Sequence, residues 1–168
     1  QVKPPTKKEV SDEDMSSMWF SIDWEKVEDQ VLAMQKQLAR AAYAGDWERV
    51  TMLQKRLVRS LPAKELAVRH VVQTSSKAGV DNVKWTKEED MMRAALSLTS
   101  KGYHAKPYLR WELEEKRGTR GIRIPAAYDK AMQALYAFAL DPVAESTADK
   151  KSCAFRKGRS ALDAHAYL

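Results

Sequence analysis

The sequence predicts an α+β fold, mostly helical with one β-hairpin. Three observations carry this. Apolar residues recur at helical spacing through residues 24–73, two short stretches at 108–113 and 120–125 alternate in period two, and helical spacing returns at 127–140. The 168 residues suffice for one domain with a tail, and 44% apolar residues suffice for a core.

Residues 1–18 are polar, with Pro4-Pro5, Lys7-Lys8 and Asp12-Glu-Asp14, and are expected to form a flexible tail. Asp23 is an N-cap candidate for a helix over 24–44, with Glu25 and Glu28 in its first turn. Val27, Val31, Met34 (or Leu32) and Leu38 form its stripe. Gly45-Asp46 ends it, and Asp46 can cap a helix over 47–59 with Val50, Leu53 and Leu57 inward. Pro62 suits the first turn of a third helix, 62–73. The stretch 74–82 reads as a polar loop, and Thr86 as the cap of a helix over 87–100. Tyr108–Leu113 and Arg120–Pro125 form the hairpin, with 114–119 as a basic turn. The next helix, 127–140, carries Met132, Leu135, Tyr136 and Ala139 on its apolar side, and Pro142 disturbs its end, with a brief resumption of the helical pattern allowed after it. A basic loop over 147–159 leads to a last helix from Ser160.

The charge is uneven. Residues 1–100 carry 16 basic and 15 acidic groups, whereas 101–168 carry 13 and 8. A second basic region holds Arg49, Lys55, Arg56, Arg59, Lys64 and Arg69 against Glu65 alone. Clustered cations of this kind suit a phosphate backbone, and the alternative is a solvated basic face. A single cysteine, Cys153, excludes an internal disulfide framework and fits a reducing compartment. His70, His104 and His165 are too far apart for metal-ligand spacing, and no apolar run reaches membrane-spanning length. The expected location is intracellular, in a bacterial cytoplasm or an organelle matrix.

Four segments, in order, resemble one family. They are Ile22-Asp-Trp24 with Ala63-Lys-Glu-Leu-Ala-Val-Arg-His-Val-Val-Gln73; Lys77-Ala-Gly-Val-Asp81; Arg120-Gly-Ile-Arg-Ile-Pro125; and Asp129-Lys-Ala-Met-Gln-Ala-Leu135 with Lys151-Ser-Cys-Ala-Phe-Arg-Lys-Gly-Arg-Ser160. Over residues 19–168 the chain resembles the N-terminal extension and fingers of group II intron reverse transcriptases, the maturase family. That family's final block typically reads DRAMQAL and then SYGFRPGRSAHDA. Here Gly121 stands in the usual RPLG stretch, Cys153-Ala154 replaces Tyr-Gly, and Lys157 replaces Pro.

The resemblance implies a fingers-like fold without the palm. The aspartates that hold Mg²⁺ in the family belong to that palm, so this chain is expected to have no catalytic residues and no cofactor of its own. RNA is the implied partner, either an intron or another large structured RNA. A palm-bearing chain and other ribonucleoprotein proteins are further expected partners, and a membrane is not. The residues expected to meet phosphate are Arg56 on the second helix, Lys64 and Arg69 in the extension, and Lys77 in the matching loop. On the hairpin they are Lys116, Arg117, Arg120 and Arg123, and in the final block Arg156, Lys157, Arg159 and the helix start at Ser160. Asp163 is placed to pair with Arg159. Trp19, Trp24, Trp47 and Phe155 are expected to pack, and Cys153 is assigned no reactivity. Two other readings stand beside an RNA-binding fingers portion: a stand-alone palm-less remnant serving as a ribonucleoprotein subunit, and a protein-interaction scaffold.

Overall fold

The computed structural model describes residues 10–75, 78–115 and 118–166. In order these form α1 (Asp12–Phe20), α2 (Trp24–Tyr43), α3 (Trp47–Arg59), α4 (Leu61–Thr74) and α5 (Glu88–Ser97). The hairpin strands β1 (Leu109–Glu115) and β2 (Gly118–Ile124), α6 (Ala127–Thr147) and α7 (Ala161–His165) follow. The α+β fold, mostly helical with one antiparallel hairpin, is as the sequence predicts.

Most boundaries follow local chemistry. The Asp23 and Asp46 carboxylates accept from the Lys26 and Arg49 amides at 3.2 and 3.0 Å, satisfying first-turn donors of α2 and α3. Pro62 sits in the first turn of α4, where its missing N–H costs nothing. The expected tail is partly structured, because α1 begins at Asp12. Ser11 accepts from the Asp14 amide, three acidic residues favour the helix N-terminus, and Trp19 is buried against the core. Arg93 of α5 pairs with Asp12 and fixes the α1–α5 packing.

α5 is shorter than expected at both ends. Lys87, not Thr86, holds the N-cap position and makes no side-chain cap, so the acidic first turn (Glu88, Glu89, Asp90) starts the helix. The Tyr128 hydroxyl donates to the Ser97 carbonyl (2.8 Å) and accepts from the Thr99 amide (3.1 Å), which stops the helix at Ser97. The strands run further into the expected turn than the alternation suggested, with pairing from Leu109↔Ile124 to Glu115↔Gly118.

α6 continues through Pro142 to Thr147. Pro142 cannot donate to the Phe138 carbonyl. The Gln35 side chain of α2 donates to that oxygen at 2.9 Å, and Gln54 of α3 donates to the Ala139 carbonyl at 3.1 Å. Gln35 of α2 thus supplies the donor that the proline lacks, Gln54 of α3 adds a bond beside it, and the helix runs on well past the expected disturbance.

α2, α3, α4 and α6 pack as a bundle, with α5 against α4 and α1 against α5. Leu38, Leu57, Val68, Met92, Leu98, Met132 and Leu135 fill the core, and Ala63, Ala67, Ala95 and Ala131 are fully buried. Alanines at these positions let helix backbones approach closely, while each buried leucine contributes about 1.5–3 kcal/mol. The hairpin, by contrast, packs chiefly on its own strands.

The loop before α5 also touches the hairpin's end. A Cβ on Gly79 would lie 2.2 Å from the Pro125 carbonyl oxygen and 2.6 Å from the Ala126 Cα. Only glycine allows this approach. Buried Asp129 accepts from the Tyr103 hydroxyl at 2.7 Å and the Lys106 amide at 3.0 Å. Desolvation, then this carboxylate, push the Tyr103 hydroxyl pKa far up.

Candidate nucleic-acid interface

The cations divide into those spent on the fold and those left at the surface. On α3 the apolar stripe of Val50, Leu53, Leu57 and Val58 faces the bundle, which turns Lys55, Arg56 and Arg59 outward. Among the described residues none of these three forms an ion pair, and the one carboxylate of α3, Glu48, lies in its first turn. Below them runs a groove of about 380 Å³ between α3 and α6.

Lys64 is half-buried at the start of α4 and makes no ion pair. Arg69 is committed elsewhere. Its guanidinium sits 4.5 Å from the Trp24 ring centroid and donates to Glu28 at 2.8 Å, bridging α4 to α2. Trp24 meets Trp19 edge-on at 5.1 Å. Trp47, expected to pack, is 56% exposed because it opens α3 on the side away from the bundle.

On the hairpin, register places Arg120 opposite Leu113, on the face shared by Trp111 and Ile122. Arg123 is exposed opposite Arg110, whose own charge is taken by Glu112 at 3.0 Å. Lys77, Lys116 and Arg117 lie outside the described residues.

The final basic block departs most from expectation. The Glu145 carboxylate, one helical turn beyond Pro142, accepts from Arg156 at 2.7 Å and from Arg159 at 2.6 Å. Arg156 also donates to the Asp149 and Ser152 carbonyls at 2.9 and 2.7 Å. Its side chain is only 12% exposed, so it clamps the 148–160 loop to α6. Hydrogen bonds from Arg159 and then Arg156 hold the Glu145 pKa below the ordinary carboxylate value. Arg159 pairs with Glu145. The Asp163 carboxylate accepts from the Ser160 amide (2.7 Å) and hydroxyl (2.8 Å); these bonds, and then the nearby Arg159 charge, lower its pKa. The amide expected to meet phosphate at Ser160 is thus occupied by a carboxylate. Phe155, expected to be a core anchor, is fully exposed with φ +58°, because the Arg156 clamp turns the backbone outward there. Of this block, Lys157 remains exposed without an ion pair.

Sequence reasoning named Lys55 and Arg59 in the basic region but neither as a contact residue. The four-residue spacing of Thr51, Lys55 and Arg59 was the available signal that they share the edge facing α6. Among the described residues no three His, Cys, Asp or Glu side chains converge as a metal-donor set, and no helix is long and apolar enough to cross a membrane.

The stretch from Trp19 to the buried end of α5 matches a known family: residues 19–98 fit the N-terminal domain of reverse transcriptase. The match is to a reverse-transcriptase N-terminal region. This region contains α2 to α5 in full and therefore the Lys55–Arg56–Arg59 surface. None of the curated proteins matches the chain.

Proposed function

We propose that this chain is the RNA-binding N-terminal extension and fingers portion of a group II intron maturase or reverse transcriptase. The observation that carries the proposal is the set of unneutralised cations on the outer face of α3, within the matched region. Lys64, Arg123 and Lys157 extend the charge elsewhere on the surface. Cations without carboxylate partners bind phosphates and release counterions, so the recognition is of backbone and shape rather than of sequence. The order of the hairpin and final-block motifs after α5 supports assigning residues 109–163 to the fingers.

Polymerisation would require palm aspartates and Mg²⁺ supplied by another segment or chain. This portion contributes positioning. Arg69, Arg156 and Arg159 act on RNA indirectly, by holding α4 and the final loop in place. RNA affinity measured across salt concentrations, for the chain and for a variant lacking the three α3 cations, tests the proposal.

A further inference from the structure

The groove between α3 and α6 is a built site rather than a shallow seam. Thr51, Gln54, Lys55, Val58 and Arg59 follow one face of α3, and Tyr136, Ala139 and Leu140 line it from α6, with Ser100 at one end. Its floor is apolar, yet Leu140 is 54% exposed and Tyr136 39% exposed. No carboxylate lines it, and its outer rim carries Lys55 and Arg59 with Arg56 beside them. Gln54 spends one N–H on the Ala139 carbonyl, leaving its carbonyl oxygen as an acceptor.

We propose that this groove seats one unpaired nucleotide of the bound RNA, with its base on Tyr136 and Leu140 and its flanking phosphates on Lys55 and Arg59. The assignment rests on the RNA-binding reading above and adds to it a bulged or looped nucleotide as the recognised feature. Charge complementarity selects the occupant. A flat aromatic base suits a short apolar cleft with an amide acceptor and a phenol ring, while the phosphates that accompany it meet a rim of cations. A volume of about 380 Å³ accommodates a single nucleotide. A protein helix would need a longer apolar line than Tyr136 and Leu140 provide.

The test uses the 168-residue chain and three RNA hairpins of one stem sequence: fully paired, with a single-uridine bulge, and with an abasic residue at the bulge. The uridine bulge is expected to bind roughly ten-fold more tightly than the abasic one, the size of one base–aromatic contact. Tyr136→Ala combined with Leu140→Ala removes that difference, and Tyr136→Phe restores it. A 5-iodouridine placed in the bulge crosslinks to Tyr136. Equal affinity for all three hairpins, with binding still salt-dependent, overturns the nucleotide site while leaving RNA binding intact and the groove open to a protein segment. Absence of salt-dependent binding to any of them overturns both readings.

Discussion

Arg156 and Glu145 form a 2.7 Å ion pair that converts the most basic-looking loop of the chain into a structural clamp. With three backbone acceptors besides the Glu145 carboxylate, Arg156 holds the loop by four groups from three different residues. Its neighbour Lys157 has no such partner, so adjacent residues of one motif do different work.

Arg156→Gln is therefore expected to cost about 1.5–3 kcal/mol, the range for hydrogen bonds to charged groups. Lys157→Gln should change stability by less than about 0.5 kcal/mol, as exposed substitutions do. Urea unfolding of both variants checks the contrast. The pH dependence has a definite sign. The folded-state pKa of Glu145 is depressed, so its contribution is present above the ordinary carboxylate range and lost as pH falls through the lowered value. Wild type and Glu145→Gln should differ in stability at pH 7 and converge in acid. The difference is modest, since the Glu145 side chain is 45% exposed.

Gly79→Ala should destabilise by roughly 1–3 kcal/mol, the usual cost of overpacking, because backbone atoms of Pro125 and Ala126 occupy the added methyl's position. Thermal unfolding reads this directly. Gly45→Ala is a poor control because its φ is +72°, whereas an exposed change such as Gln133→Ala should be nearly silent.

Gln35→Ala and Gln54→Ala each remove the donor to a part-buried carbonyl next to Pro142. Gln35→Ala is expected to cost about 1–3 kcal/mol, the cost of leaving a part-buried acceptor unsatisfied, and Gln54→Ala about 0.5–1.5 kcal/mol, one ordinary hydrogen bond, because the helix still offers the Val143 N–H to the Ala139 carbonyl. The effect should shrink in a Pro142→Ala background for Gln35, because alanine restores an N–H for the Phe138 carbonyl. A double-mutant cycle measures that coupling.

Phe155→Asn should raise stability by up to about 1 kcal/mol. The left-handed backbone disfavours phenylalanine and suits asparagine, and a fully exposed ring forfeits no burial. Chemical denaturation decides the sign.

Helices α2, α3 and α4 were legible because caps, stripes and Pro62 all sit within a few residues of what they control. The hairpin was legible from alternation, although its turn was drawn too long. The full length of α6 was not, because the donor that serves the Phe138 carbonyl comes from Gln35, 103 residues away. The same distance problem affects the site. Charge alone cannot separate Arg59, which stays unpaired, from Arg69 or Arg156, whose partners are brought by the fold. Motif likeness marked Gly79, Asp129 and Arg156, and in the structure these three hold loops in place.

In the proposed complex Lys55, Arg56 and Arg59 meet RNA phosphates. Titrating a structured RNA at several salt concentrations, with the chain and with the Lys55→Gln, Arg56→Gln, Arg59→Gln triple variant, tests it most directly. Affinity should fall linearly on a log–log plot, and the variant should bind more weakly with a slope smaller by roughly 2–3, one increment for each lost phosphate contact. A variant that folds normally and keeps both the affinity and the slope of the parent chain would place the RNA contacts elsewhere than on α3.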